Sequence, residues 1–415
     1  MTGGYSNMTK EKIKDLIAKM TLEEKAAMCS GADFWHTESC ERLGIPASMV
    51  SDGPHGLRKQ DDKADHLGVN ESIKAVCFPA GCGTAASFNR DLLYHMGETL
   101  GNECQAEGVS VILGPAVNIK RSPLCGRNFE YYSEDPLVAS EIAGSLIRGV
   151  QSKHVGTSLK HFLANNQETR RMSVNEIIDE RTLNEIYLAA FEGAVKKAKP
   201  WTVMCSYNRI NGTYAAAHHK YLTETLRDKW GFDGYVMSDW GAVNDRVEDL
   251  KAGLDLEMPS SMGVNDKLIV EAVQNGTLEE KVLDTAVERI LNIVYRYAEN
   301  RDTEAVFDLD HDHEVAKKVA EETIVLLKND GVLPLDASRY KKIMVTGINA
   351  DDQNILGDWS APEKDENVTT ILEGLKMIAP DTQFDFVDQG WDPRNMDPKK
   401  VAEAAARAKS ADLNI

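Results

Sequence analysis

Ile13, Leu16, Ile17 and Met20 recur at three- and four-residue spacing, which predicts an amphipathic helix over residues 9–20. Thr21-Leu22-Glu23-Glu24 follows with the spacing of a capping box. In that motif the Thr21 hydroxyl takes an amide proton of the next helix while Glu24 reaches back. Apolar positions then gather into short runs at 47–51, 109–113, 157–160, 202–206, 235–238 and 254–258, each ending in polar or glycine-rich residues. Helix-length amphipathic stretches, such as 183–197 and 266–274, separate or follow them. Strands alternating with helices imply parallel βαβ units. Short strands followed by chemically rich loops place active-site loops at the carboxyl end of a barrel.

The pattern fades after residue 297. Residues 299–313 are polar and irregular, as expected of a linker. A new unit begins at 314, with a predicted helix over 315–328, a turn at Asn329-Asp330-Gly331 and a strand over 342–346. Residues 411–415 read as the start of another strand, so this second unit is expected to be unfinished.

Charge narrows the partners. The chain has 415 residues, with 47 Lys plus Arg against 66 Asp plus Glu, for a net charge of −19. An acidic surface repels phosphate backbones and anionic lipid, so neither nucleic acid nor a membrane surface is an expected partner. No window is apolar over the roughly 18 residues of a membrane helix. Seven scattered cysteines, none in a C-x-x-C pair, read as free thiols in a reducing compartment. The first residues show no apolar segment behind a basic start, and cytoplasmic residence is the expectation.

The densest local chemistry is Val236-Met237-Ser238-Asp239-Trp240. A carboxylate at a strand's end sits on a rigid platform, and a neighbouring indole offers a flat face to a sugar ring. That suits a nucleophile attacking an anomeric carbon. A helix N-cap would use the same aspartate equally well. Asp52 and Arg58 flank the tight turn of Ser51–Arg58, where they can hold hydroxyl groups as acceptor and donor, or simply pair with each other. Gly126–Glu130 and Lys160-His161-Phe162 are two further polar patches. Adjacent cations at 160 and 161 crowd each other unless something anionic or hydroxyl-rich lies between them, although such a pair is commonly a surface feature. His218-His219 and His311-x-His313 lack the spacing of metal ligands on one helical face. Neither a phosphate loop nor a G-x-S-x-G elbow occurs.

Taken in order, SDGPHGLR (51–58), GRNFEYYSEDP (126–136), KHF (160–162), NNQETRR (165–171), MCSYNRING (204–212), GYVMSDW (234–240) and AGLDLEMP (252–259) resemble glycoside hydrolase family 3, in its β-glucosidase-like branch. The similarity runs from about residue 20 to 300. It continues more weakly through 320–335, GDWSAP (357–362) and VTTILEGL (368–375). The resemblance implies an α/β fold, a (β/α)8 TIM-like barrel over 1–298 followed by the start of an α/β sandwich over 314–415. It implies a retaining double displacement with Asp239 as nucleophile. By the same resemblance Asp52, Arg58, Arg127, Lys160, His161 and Arg171 hold the terminal sugar. Tyr207 sits beside the nucleophile and Trp240 forms an aromatic wall. No metal or organic cofactor is required.

Two departures matter. The branch that cleaves N-acetylglucosamine linkages carries a second histidine after KHF, where this chain has Leu163-Ala164-Asn165-Asn166, so hexosaminidase chemistry is not expected. The general acid/base of the glucosidase branch is a glutamate well inside the sandwich domain, expected beyond residue 415. Glu363, Glu366 and Glu373 lie in that domain's opening segment and do not take the role. The rest of the second domain, or another chain, is then expected to supply it. Loss of general acid catalysis lowers rates by about 10²- to 10⁴-fold. The expected activity is therefore an exo-acting β-glucosidase on small carbohydrates. A β-xylosidase and an inactive sugar-binding fragment are the alternatives.

Overall fold

The computed structural model describes residues 8–60, 72–347, 349–351, 369–388 and 397–415; the GDWSAP segment, with Glu363 and Glu366, lies outside them. The described residues divide into two compact units with the boundary between Val325 and Leu326.

Among the described residues the first unit has strands β1 (Met49–Asp52), β2 (Val109–Leu113), β3 (Gly156–Phe162), β4 (Asn175–Glu176), β5 (Thr202–Cys205), β6 (Arg209–Ile210), β7 (Thr213–Tyr214) and β8 (Tyr235–Ser238). Five of them form one parallel sheet in the order β1-β2-β3-β5-β8. Every residue of β2, β3, β5 and β8 is buried, because both faces of the sheet are covered. Alternate residues still serve different clusters. Val203, Cys205 and Val236 join one, while Met204, Tyr235 and Met237 join the other.

The sheet curls into a ring. The expected strand at 254–258 is present only as isolated parallel bridges, Met237↔Leu256 on one side and Ser30↔Glu257 on the other. The chain from Ser30 then turns back on itself, and Val50 N–H donates to Trp35 O at 2.9 Å, which returns the hydrogen bonding to β1. The short strands β4, β6 and β7 make a separate small sheet in a loop region.

Local signals fix the helices around this ring. The Thr21/Glu24 capping box is formed, both halves present, at the start of Leu22–Met28. Helix Pro136–Gln151 starts on an Asp135 cap with proline at its first turn. It packs tightly on Arg90–Ala106 because two glycines let the backbones touch. A Cβ on Gly97 would lie 2.5 Å from Leu146 O, and one on Gly149 would lie 2.1 Å from Tyr94 O.

The linker expected at 299–313 is partly helical. Asp308 caps a helix over Leu309–Thr323, which ends well before residue 328. Its Leu309, Val315, Ala316 and Val319 recur at helical spacing and pack on the first unit's core. In the acidic and histidine-rich stretch Asp308, Asp310 and His311 are exposed, while Asp312 is buried.

The second unit has a three-stranded parallel sheet in the order β10-β9-β11, with β9 (Lys342–Thr346) central, flanked by β10 (Gln383–Val387) and β11 (Leu413–Asn414). Helices Ile371–Ile378 and Pro398–Ala408 accompany it, the first opened by a Thr370/Glu373 capping box. Among the described residues no helix is long and apolar enough to cross a membrane. All seven cysteines are free thiols.

Candidate active site

The residues singled out from the sequence converge at one end of the curled sheet. Asp52 is the last residue of β1, Lys160 and His161 lie just before the last residue of β3, and Asp239 follows β8 directly. Tyr207 lies two residues beyond β5. Arg58, Arg127 and Arg171 come from loops that leave these strands. Side chains at carboxyl ends of parallel strands share one face of the ring, which is why motifs far apart in sequence meet here.

Asp239 is 8% exposed. Among the described residues both of its hydrogen-bond donors use the same oxygen. Tyr207 Oη donates to Oδ1 at 2.9 Å, and the Trp240 backbone N–H donates to Oδ1 at 2.8 Å. Oδ2 faces His161 Nε2 at 3.8 Å. Burial and the adjacent Asp239 charge push the Tyr207 hydroxyl far above its ordinary range, so it stays a protonated donor.

His161 is neutral. Burial drives its imidazole well below the usual range, and Arg127, Lys160 and Arg171 push in the same direction. Its tautomer follows from its partners. Arg127 Nη2, which can only donate, lies 2.9 Å from Nε2, so Nε2 accepts. Nδ1 then carries the proton and points to Asn118 Oδ1 at 3.3 Å. Asn118 also accepts the His161 N–H at 2.8 Å and donates to its carbonyl at 2.9 Å. The approach of Nε2 to Asp239 is therefore a contact between two acceptors and not an ion pair.

Lys160 is 4% exposed. Its ammonium lies 3.7 Å from Asp52 Oδ1 and 3.7 Å from Glu130 Oε2, both beyond hydrogen-bond length. The surrounding protein mass raises the Asp52 carboxyl above its ordinary range against the pull of Lys160 and Arg58. Arg58 stays beside Asp52 through a backbone bridge, its N–H donating to Asp52 O at 3.0 Å. Arg171 bonds Glu168 at 3.0 Å and lays its guanidinium over the Tyr207 ring, 4.7 Å from the centroid. Four cations thus face four carboxylates in a chain whose overall charge is strongly negative.

Trp240 closes one side. Its indole N–H donates to Phe34 O at 3.0 Å, and its ring lies 5.6 Å from Trp35 and 6.1 Å from Phe34. Phe34 and Trp35 carried no sequence signal, since they come from the segment that closes the ring. Asn118 and Glu168 were also not singled out. Glu130 was visible inside the 126–130 patch, but only its neighbour Arg127 was chosen. Among the described residues no group of three His, Cys, Asp or Glu is placed to hold a metal ion. His218 and His219, and His311 and His313, lie on other elements.

Residues 36–293 match the glycosyl hydrolase family 3 N-terminal domain and residues 324–415 match the family 3 C-terminal domain. The chain is 52% identical over 406 residues to thermostable beta-glucosidase B of Acetivibrio thermocellus, covering 97% of this chain and 54% of that protein. It is 47% identical to an exo-alpha-(1->6)-L-arabinopyranosidase of Bifidobacterium longum, with 98% and 54% covered. Among solved structures, a Bifidobacterium adolescentis GH3 beta-glucosidase aligns with TM-score 0.86 at 44% identity, covering 96% of this chain and 57% of that one. Beta-glucosidase 3B from Thermotoga neapolitana, in complex with alpha-D-glucose, aligns with TM-score 0.82 at 36% identity, with 96% and 57% covered. The chain spans about half the length of the curated relatives it matches.

Proposed function

The chain belongs to glycosyl hydrolase family 3, a TIM-like barrel followed by an α/β sandwich, and on that premise we propose that it carries the nucleophile and sugar-binding part of a retaining exo-β-glucosidase. One observation supports this above the others: among the described residues both donors to Asp239 bind Oδ1, and Oδ2 takes no hydrogen bond. A carboxylate held by one oxygen presents the other along a fixed line, as displacement at an anomeric carbon requires.

In the first step Asp239 Oδ2 bonds to C1 as the C1–O bond to the leaving group breaks. The departing oxygen takes a proton from a general acid that we assign to no residue of this chain. We place that acid in the part of the relatives' length this chain does not span, whether in the same polypeptide or a partner. Water then attacks C1, giving a proton to the same group that acted as acid, and the C1–Oδ2 bond breaks to restore the free carboxylate, so the anomeric configuration is retained. Asp52, Arg58, Arg127, Lys160, His161 and Arg171 bind the sugar hydroxyls. Contacts that tighten as the ring flattens lower the barrier.

Glucose is the proposed glycone, in keeping with the similarity to β-glucosidases. Two pentopyranosides, a β-xyloside and an α-L-arabinopyranoside, are the competing substrates, the second because of the arabinopyranosidase relative. The one hydroxymethyl group that separates the xyloside from the glucoside discriminates by only about 1–3 kcal/mol. A matched set of aryl glycosides ranks them by kcat/KM. Proton NMR of the first sugar released tests the mechanism: β-glucose appearing first supports retention, and α-glucose first rejects it. Cytoplasmic residence is proposed on the seven free thiols, and labelling them in freshly broken cells tests it: thiols already oxidised would contradict it.

A further inference from the structure

We propose that Glu130 is a positioning residue for the sugar subsite, acting through Arg127 and Lys160; this rests on the glycosidase reading above. The Glu130 side chain is 1% exposed. A buried charge is unfavourable unless it is paired and hydrogen-bonded. One oxygen, Oε1, takes the Nε–H of Arg127. The other, Oε2, has no hydrogen bond among the described residues and faces Lys160 Nζ at 3.7 Å.

That half-satisfied carboxylate shapes both cations. The Lys160 ammonium lies between Glu130 and Asp52, at 3.7 Å from each and closed onto neither. Its protons stay available to a hydroxyl that enters beside Asp52. Donors held in place before the ligand arrives need no reorganisation to bind it. Arg127 is a rigid planar fork, so fixing its Nε on Glu130 fixes where its other nitrogens point. Nη2 reaches His161 Nε2 at 2.9 Å, and Nη1 lies 3.9 Å from Glu168 Oε1. Glu130 therefore sets the donor that makes His161 Nε2 an acceptor.

Packing does not require this carboxylate. The close approach at this position is made by the Glu130 backbone, where a Cβ on Gly81 would lie 2.3 Å from Glu130 O. The Phe129 carbonyl beside it accepts the Cys82 N–H at 3.0 Å. An amide side chain keeps these contacts and loses the charge. Arg127 and Lys160 would then lack their shared buried counter-charge, and Lys160 would fall back on Asp52.

The test is a coupling measurement on Glu130→Gln and Glu130→Asp, using an aryl β-glucoside and its monodeoxy analogues. For the parent glucoside E130Q is expected to raise KM about 10- to 100-fold with kcat changed less than about threefold. The analogue lacking the hydroxyl that Arg127 or Lys160 addresses is expected to lose less than about threefold, because that contact is already gone. Equal losses on every analogue, or an unmoved KM in folded E130Q, overturn the proposal. E130D keeps the charge but withdraws it by one methylene, and is expected to fall between. It becomes the comparator if E130Q does not fold, and E130D identical to the parent on every analogue then overturns the proposal. If the chain hydrolyses no glycoside, calorimetric binding of glucose and its deoxy analogues reads the same coupling. Glu130 is then judged on binding alone, while the glycosidase reading is judged separately on whether an activated 2-deoxy-2-fluoro-β-glucoside labels Asp239.

Discussion

Tyr207 Oη and Asp239 Oδ1 are 2.9 Å apart, and the same hydroxyl also reaches Trp240 O at 3.1 Å. The two residues leave neighbouring parallel strands, β5 and β8, which are in register with Cys205 opposite Ser238. One ladder register thus sets the orientation of the nucleophile.

Removing that hydroxyl leaves Asp239 with one donor on Oδ1. Tyr207→Phe is expected to lower kcat on an aryl β-glucoside about 10- to 100-fold, the worth of a hydrogen bond to a charged group. Steady-state kinetics checks it. An unchanged kcat would show that Trp240 N–H alone aligns the carboxylate.

Asp239→Gly removes the attacking atom. Activity is expected to fall by about 10⁴-fold or more. Azide should restore turnover by entering from the vacated side, giving α-glucosyl azide, identifiable by NMR.

Stability should fall as the solution becomes alkaline. Burial raises the Glu103 carboxyl to about 8, helped by the neighbouring Asp312 charge, against the Val76 and Leu57 amides. The folded state holds this proton over a range where the unfolded chain has released it, so stability declines as pH rises from about 4.5 through about 8. Asp249, raised to about 7 by burial, acts in the same direction. Glu103→Gln keeps an acceptor for the Val76 N–H and carries no charge. Its melting temperature is expected to depend less on pH and to exceed the parent's above pH 8, as scanning calorimetry would show.

The helix pair Arg90–Ala106 and Pro136–Gln151 tolerates no side chain at its crossing. Gly149→Ala places a methyl 2.1 Å from Tyr94 O, and the backbones must separate. A loss of about 1–3 kcal/mol is expected, which lowers the melting temperature by several degrees.

Legibility in the sequence followed the range of the interaction. The strands at 109–113 and 235–238 were readable because fully buried parallel strands are short apolar runs. The Thr21 and Glu24 box was readable because both partners lie within one turn. The segment 254–258 also read as a strand, yet it pairs only through isolated bridges. The helix Leu309–Thr323 was half hidden because its polar face dominates the local composition. Candidate site residues on strand ends could be named because the motif order carries them. Asn118, Phe34 and Trp35 could not, since each is defined by a partner remote in sequence; Glu168 lay inside the 165–171 motif beside its partners Asn165 and Arg171 and was passed over. Asn118 matters because it faces His161, 43 positions away. Nothing local to residue 118 announces that contact.

The central claim, that Asp239 is the nucleophile, meets its most direct test in trapping with an activated 2-deoxy-2-fluoro-β-glucoside, whose good leaving group lessens the need for an acid. Peptide mass spectrometry after digestion should find one fluoroglucosyl group, on Asp239, with none on the D239G chain. A label on Asp52, Glu130 or any other residue, or equal labelling of the variant, would contradict the account.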